Sequence, residues 1–170
     1  MNKFKLLLGT LLLAGSSLMH AQVEKSIKIN EVLTDNTENL QDEYGQREAW
    51  VEIANVSFTT YNIRGMFITT DRSVLNPQMS VPERMKRMSV IPNGDPRTSL
   101  GGRQHLVLFC NSQPSKGSLH LDLKIEPGKP TWLGLYSGNA TQLIDSVTIP
   151  ALEPNISFAR QKDGSENWVV

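Results

Sequence analysis

The chain has 170 residues, of which 39% are hydrophobic, 20% charged and 6% aromatic. This composition is typical of one globular domain and disfavours a disordered chain or a coiled coil. The 17 basic and 17 acidic residues cancel, so net charge gives no reason to expect tight nucleic-acid binding. The single cysteine, Cys110, excludes an internal disulfide framework and a cysteine-rich zinc site.

Residues 1–21 have the pattern of a secretory signal peptide. Lys3 and Lys5 give a positive start, residues 6–14 are apolar, and small residues precede a cleavage site after Ala21. The apolar run is shorter than the ~20 residues that span a bilayer, which disfavours an uncleaved anchor. Removal of the signal takes away two lysines and leaves 15 basic and 17 acidic residues, a net charge of −2. We therefore expect an exported protein, periplasmic or on the cell surface.

The mature chain, residues 22–170, is predicted to form one all-β domain. Turn-forming pairs such as Asn93-Gly94 separate short runs rich in β-branched and aromatic residues. The nearest approach to a helical stripe, residues 81–88, contains Pro82 and would make two turns at most. Many short strands with almost no helix indicate an antiparallel β-sandwich. The predicted strands are 26–34, 49–55, 62–70, 105–110, 119–125, 131–136, 142–149 and 157–160.

Period-two alternation predicts which side chains are buried. Leu121, Leu123 and Ile125 should face the core, while the residues between them face solvent. Residues 106–109 are apolar throughout and predict a central strand that is buried on both faces. Cys110 ends this run, so we expect a buried thiol that packs as a small hydrophobe and does not react.

Two charged insertions interrupt the strands. Residues 35–48 hold five acidic residues and Arg47, a net charge of −4. This segment offers oxygen ligands for calcium but lacks the spacing of an EF-hand, so no metal site is predicted. Residues 83–103 hold five basic and two acidic residues, a net charge of +3. Either insertion could be simply solvated, or could bind a partner.

The basic insertion is the candidate contact surface. Its four candidate residues could bind phosphate, either of a nucleic acid or of a lipid headgroup, or could contact a protein partner. Interleaved methionines could let the loop lie on a membrane surface. An exported protein of nearly neutral charge is not expected to meet nucleic acid. The candidate contact residues are Arg84, Lys86, Arg87 and Arg103.

No catalytic motif is present in the sequence. A Gly-x-Ser-x-Gly elbow and a His-Glu-x-x-His pair are both missing. His105 and His120 each begin a predicted strand, where a hydrogen-bonding histidine is ordinary. Glu31 and Glu52 could be neighbours across a sheet and act as the two carboxylates of a sugar-active hydrolase. The alternative is that they accept backbone hydrogen bonds and fix strand corners, and on that interpretation the protein is not an enzyme and needs no cofactor.

Several strand sequences together resemble the lamin tail domain family, over roughly residues 26–170. The matching segments are Ile29-Asn30-Glu31-Val32, Trp50-Val51-Glu52-Ile53 with Asn55, Gly65-Met66-Phe67-Ile68-Thr69, Ile91-Pro92-Asn93-Gly94, His120-Leu121-Asp122-Leu123-Lys124, Ile144-Asp145-Ser146-Val147, Ser157-Phe158-Ala159-Arg160 and Asp163-Gly164 leading to Asn167-Trp168. The resemblance implies an immunoglobulin-like antiparallel β-sandwich that binds and does not catalyse. It implies structural roles for Asn30, Glu31, Trp50, Glu52, Asn55, Gly65, Asp145, Arg160 and Trp168.

The stretch from Asn30 through residues 41–45 to Trp50 is similar to one bacterial subgroup of that family. In that subgroup, an exported domain precedes a membrane helix of the gamma-subunit type found in sodium-pumping decarboxylases. The resemblance implies a protein partner in the cell envelope, with such a decarboxylase complex as the named candidate. Two departures are Ala159, where bacterial members commonly have glycine, and an end at Val170 before the usual Thr-Pro-Gly. We therefore expect a domain truncated at its C-terminal end, tethered to the membrane in a longer natural chain.

Overall fold

The structure is a computed structural model that describes residues 26–170. The predicted signal peptide, residues 1–21, lies outside the described residues. Most of the regular structure in residues 26–170 is β-strand. The one α-helix of these residues, α1 (Val81–Met85), is about one and a half turns long. The strands are β1 (Ile27–Leu33), β2 (Trp50–Asn55), β3 (Tyr61–Asn62), β4 (Phe67–Thr69), β5 (Ser89–Val90), β6 (Ser99–Leu100), β7 (His105–Cys110), β8 (His120–Leu121), β9 (Thr131–Tyr136), β10 (Leu143–Ile149), β11 (Ser157–Arg160) and β12 (Trp168–Val169).

The strands of residues 26–170 form three sheets, which confirms the all-β prediction. A six-stranded sheet has the order β12-β11-β1-β2-β7-β8, and a four-stranded sheet has the order β10-β9-β4-β5. A small two-stranded sheet pairs β3 with β6. The paired strands run antiparallel except β7 and β8, which are parallel. Short turns at Gly138-Asn139 and Asp163-Gly164 join antiparallel neighbours, β9 to β10 and β11 to β12.

One hydrophobic cluster joins the two larger sheets. It contains Ile29 and Ile53 of the six-stranded sheet together with Leu133, Leu135 and other residues of the four-stranded sheet. Alternate residues of β9 point away from this cluster, because side chains of a strand alternate between its two faces. These alternate residues belong to a second cluster, which consists of Phe67, Val74, Trp132, Tyr136 and Ala140. Met79, Val81 and Met88 of residues 71–88, together with Leu143 of β10, are partly buried and pack on this second cluster.

Three predicted strands, 105–110, 131–136 and 157–160, match the structure to the residue. The predicted strand 62–70 is wrong as one element, because a turn at Gly65 divides it into β3 and β4. Gly65 has φ of +76° there, a conformation that glycine adopts without steric cost. The predicted strand 119–125 is also too long, since only its first part, β8, pairs with β7 as a strand. Its alternation is nevertheless correct, with Leu121, Leu123 and Ile125 buried.

Candidate functional site

A β-bulge in β1 organises the polar residues of the six-stranded sheet. The register of β1 against β2 shifts between Ile29 and Glu31, so Asn30 is an extra residue in the strand. A bulge leaves backbone groups without their ladder partners. Here the Ile29 N–H donates to Asp145 Oδ2 at 2.8 Å, and Arg160 Nε donates to the Ile29 carbonyl at 2.8 Å. Both backbone groups of Ile29 are therefore satisfied by side chains.

Arg160 and Asp145 form a buried ion pair beside this bulge. Arg160 Nη2 lies 2.9 Å from Asp145 Oδ2 and 3.1 Å from Asp145 Oδ1. The two side chains are 1% and 9% exposed, so water screens their attraction little. Arg160 Nη1 also donates to the Ser165 carbonyl. The pair thus connects β11, β10, β1 and the β11–β12 turn.

Trp168 covers the other face of this arginine. The Arg160 guanidinium carbon lies 4.6 Å from the centroid of the Trp168 ring, and Phe158 stacks on the same ring at 5.1 Å. A guanidinium over an indole face is attracted by the ring quadrupole. The short strand β12 is therefore fixed by aromatic and cation–π contacts as well as by its pairing with β11.

The side chain of Asn30 bridges two carboxylates. Its Nδ2 donates to Glu52 Oε1 at 2.9 Å and to Asp163 Oδ1 at 3.2 Å. His105 Nε2 lies 3.1 Å from the other oxygen of Asp163. These contacts hold the β11–β12 turn against β1 and β7. The amide of Asn30 and the carboxylate of Glu52 are therefore engaged in hydrogen bonds within the sheet.

Glu31 and Glu52 are cross-strand neighbours, as the hydrolase alternative requires. A two-carboxylate glycosidase, however, needs one carboxyl that is free to protonate the leaving group and a cleft that holds the sugar. Glu52 is half-buried and accepts the hydrogen bond from Asn30. The structure places the two carboxylates as a cross-strand pair in which Glu52 already bonds Asn30.

Asn55 and Trp50 complete the set of residues on which the family resemblance depends. Asn55 is 1% exposed, and its Nδ2 donates to the carbonyls of Thr59, Leu100 and Gly101. It therefore joins the end of β2 to the turn after β6. Trp50 is buried in the main core cluster opposite β7. Both side chains serve the framework.

The acidic insertion is pinned by its own side chains. Asp42 accepts hydrogen bonds from the backbone N–H groups of Tyr44 and Gln46, and Lys116 Nζ lies 3.5 Å from its Oδ2. Burial by itself raises the pKa of Asp42, but these N–H groups and the Lys116 ammonium outweigh it and hold the pKa below its ordinary value. Lys116 also lies 3.3 Å from Glu48.

Asparagines close the rest of this insertion. Asn36 Nδ2 donates to the carbonyls of Leu40 and Glu48, and Asn155 Oδ1 accepts from the N–H groups of Thr37 and Glu38. These bonds fix the conformation of the insertion. Within residues 26–170, no group of three or more histidine, cysteine or acidic side chains could hold a metal ion.

His120 is fully buried beneath the acidic insertion. Its ring stacks on Phe109 at 5.1 Å, and its Nδ1 lies 2.9 Å from Asn111 Nδ2. Because an amide nitrogen only donates, Nδ1 accepts and the proton of the neutral ring sits on Nε2. That nitrogen lies 3.3 Å from Glu43 Oε2. With Tyr44 also beside the ring, His120 is a packing residue with no access to a substrate.

The candidate contact residues of the basic insertion are placed differently from one another. The Arg84 guanidinium donates to the carbonyls of Val74 and Ala140 at 3.1 Å and approaches two further carbonyls, so it ties α1 to its surroundings. Arg87 pairs with Asp71 at 3.2 Å. Arg103 lies 4.5 Å from the ring of Phe58, a side chain that is 85% exposed.

The Lys86 side chain is exposed and forms no ion pair or hydrogen bond within residues 26–170. The interleaved methionines are also separated, because Met79 and Met88 pack on the second cluster while Met85 remains 39% exposed. The structure therefore does not assemble a continuous basic and methionine-rich face from this segment.

A cationic cleft elsewhere was not predicted from the sequence. It has a volume of about 520 Å³ and is lined by Arg72, Lys124, Glu126 and Lys129 among others. The sequence separates these residues by up to 57 positions (72 to 129). Only the approach of the β8–β9 connection to the turn after β4 brings them together, so no local pattern could have indicated the cleft.

Within residues 26–170, no helix is long and apolar enough to cross a membrane. Comparisons with known proteins found no matching family model, no matching curated protein and no matching solved structure.

Proposed function

We propose that this chain is a non-catalytic, exported interaction or scaffolding module of the cell envelope, built as an immunoglobulin-like β-sandwich of the lamin tail type. The sandwich assignment is supported by the larger hydrophobic cluster, which contains residues of both larger sheets. The lamin tail resemblance is supported by the way its polar residues are used. Asn55, Asp145 and Arg160 bond the backbone, and Asn30 bonds the carboxylates of Glu52 and Asp163.

The single observation that carries the non-catalytic proposal is the Arg160–Asp145 pair at the β1 bulge. A catalytic constellation needs a nucleophile or base with an exposed reacting atom and a place for substrate beside it. Here the most deeply buried charged pair near the family positions bonds the Ile29 backbone. Its chemistry is consistent with a rigid framework that displays loops.

The proposed partner is a protein complex of the cell envelope, with a sodium-pumping decarboxylase as the candidate that the resemblance suggests. Two separate surfaces could contact it. The first is the acidic insertion, which exposes Leu40 and Tyr44. The second is the tip formed by Phe58 and Arg103. Exposed aromatic and arginine side chains are enriched where proteins bind one another.

The test begins with the location of the protein. The full chain with a C-terminal tag is expressed in the native host, and its cytoplasmic and envelope fractions are compared with those of a chain that lacks residues 1–21. The proposal expects the tagged full chain in the envelope fraction and the shortened chain in the cytoplasm. Recovery of the full chain in the cytoplasm would exclude an envelope function.

The second stage identifies the partner by cross-linking and affinity capture. The matched variants are Phe58→Ser together with Arg103→Ser at the tip, and Lys86→Ser as an exposed control. The proposal expects membrane decarboxylase subunits to be enriched with the wild type and with the control, and lost with the tip variant or with a Tyr44→Ser variant. Enrichment of a different envelope complex would keep the scaffold proposal and reject the decarboxylase.

A further inference from the structure

The cationic cleft lies at one end of the four-stranded sheet. Its walls are the turn after β4, which carries Arg72, and the β8–β9 connection, which carries Lys124, Glu126 and Lys129. Its floor includes Trp132 of β9 and Thr148 of β10, which are register partners. At about 520 Å³, the cleft is within the usual size range of small-molecule sites.

The cleft carries an excess of positive charge. Three cations face one carboxylate, so its net charge is +2. Glu126 is shared between Lys124 and Lys129, each at 3.9 Å, and these lysines are 68% and 71% exposed. Exposed pairs at such distances are weak. Both lysines can therefore exchange Glu126 for an anionic ligand.

Arg72 is the third cation and has no ion pair or side-chain hydrogen bond within the described part of the chain. The carboxylate of its neighbour Asp71 forms an ion pair with Arg87. A guanidinium presents a planar fork of donors that matches phosphate oxygens, and ammonium groups bind phosphate as point charges. The Thr148 hydroxyl on the floor adds a neutral hydrogen-bonding group.

We propose that this cleft binds a dianionic phosphate monoester carried on a small polar group. A phosphate monoester carries a charge of about −1.5 to −2 near neutral pH, which matches the net charge of +2 of the cleft. A single carboxylate would neutralise only half of that charge. The volume exceeds that of a free phosphate ion and leaves room for the carrier against Trp132. This inference does not depend on export or on a protein partner.

The test measures binding to the purified domain by calorimetry and by tryptophan fluorescence at low salt. Three probes distinguish the source of the phosphate: inorganic phosphate, glucose 6-phosphate, and phosphatidylcholine vesicles that contain about one tenth phosphatidic acid. A soluble ligand is indicated if glucose 6-phosphate binds and the vesicles do not. A lipid headgroup is indicated if only the vesicles bind, and binding of inorganic phosphate alone would reject the carrier part of the proposal.

Variants locate the binding in the cleft. Arg72→Ala, or Lys124→Ala together with Lys129→Ala, is expected to weaken binding about tenfold or more. Glu126→Gln removes the competing carboxylate and is expected to tighten binding about threefold. Lys86→Ala is the control and should bind like the wild type. Circular dichroism checks that each variant is folded.

The pH dependence gives an independent readout. Because the second pKa of a phosphate monoester is about 6, binding should weaken as the pH falls below that value. The proposal is overturned if no phosphate-bearing probe binds at low salt. It is equally overturned if a probe binds with the same affinity to the wild type and to the Arg72→Ala and double-lysine variants.

Discussion

Arg160 and Asp145 lie 2.9 Å apart, and together they bond both backbone groups of Ile29 at the β1 bulge. The relationship connects residues that are far apart in the sequence and joins the six-stranded sheet to β10 of the four-stranded sheet. The register of β1 against β11 ends at Glu31, so Ile29 has no strand partner on that side. The ion pair satisfies both of its backbone groups, next to the extra residue Asn30.

Arg160→Met should therefore destabilise the domain strongly. It leaves Asp145 buried without its cation and the Ile29 carbonyl without a donor. Loss of one partner of a buried pair costs about 3–5 kcal/mol. Urea unfolding followed by circular dichroism measures this change as a lower transition midpoint at an unchanged slope.

The double variant Arg160→Met with Asp145→Leu separates the charge from the packing. Because it removes both ions, it should be more stable than the sum of the two single effects implies. Lys162→Met is the control, since this exposed lysine near the same turn forms no described ion pair. A loss below about 1 kcal/mol in Arg160→Met would contradict the proposed role of the pair.

The sequence predicted the long strands well because their periodicity is local. Residues 105–110 and 131–136 are apolar runs with clear ends, and most of their side chains are buried in the core. The sequence does not predict the short strands β5, β6 and β12. A strand of two residues is too short to show an alternation of polar and apolar side chains. The pairing of these strands depends on tertiary contacts, such as the stacking of Trp168 on Phe158.

Prediction of the candidate site was limited for the same reason, because it also depends on tertiary contacts. The sequence singles out Asn30, Glu52, Asp145, Arg160 and Trp168, and the structure brings these five residues together around one bulge. The position of the bulge could not be predicted, because an asparagine, which is uncommon in strands, indicates a turn or a strand end equally well. The charge of residues 83–103 was read correctly, but whether an arginine faces solvent or a carbonyl depends on the fold, as Arg84 demonstrates.

Asp42 should make the stability of the domain sensitive to acid. Its pKa is lowered from an ordinary value of 3.8, so the unfolded chain binds a proton more readily than the folded chain. The stabilisation is therefore complete above about pH 4 and is lost as the pH falls through the folded pKa. Asp42→Asn should lose about 1–3 kcal/mol near neutral pH.

Urea unfolding near pH 7, pH 5 and pH 3 checks this prediction. The wild type should lose more stability between pH 5 and pH 3 than Asp42→Asn does, because the variant has no carboxylate left to protonate. Glu166→Gln removes the same charge from an exposed residue and should follow the wild type. Parallel pH profiles for the wild type and Asp42→Asn would refute the role assigned to Asp42.

Gly102 should be intolerant of a side chain, whereas its neighbour Gly101 should tolerate one. A Cβ at Gly102 would lie 2.6 Å from the backbone carbonyl of Phe58, and backbone cannot move aside cheaply. A Cβ at Gly101 would meet only the flexible end of Gln104. We expect Gly102→Ala to cost about 1–3 kcal/mol and Gly101→Ala to cost less, as measured by thermal unfolding. Equal melting temperatures would contradict this account.

Cys110 should be unreactive in the folded protein. Burial raises the pKa of its thiol to about 12, and the thiolate is the species that reacts. Ellman's reagent at about pH 8 should therefore react slowly with the native domain and rapidly after unfolding in guanidinium chloride. Fast modification of the native protein would show that the strand end around β7 opens readily.

Arg84 and Lys86 provide a matched pair that separates a structural cation from a solvated one. Arg84 donates to the carbonyls of Val74 and Ala140, and Lys86 projects into solvent. Arg84→Lys keeps the charge but loses the fork of donors, so it should destabilise the domain nearly as much as Arg84→Ala, by about 1–3 kcal/mol. Lys86→Ala should change the free energy of unfolding by less than about 0.5 kcal/mol. Full stability of Arg84→Lys would mean that charge alone matters here, and the carbonyl contacts would then contribute little.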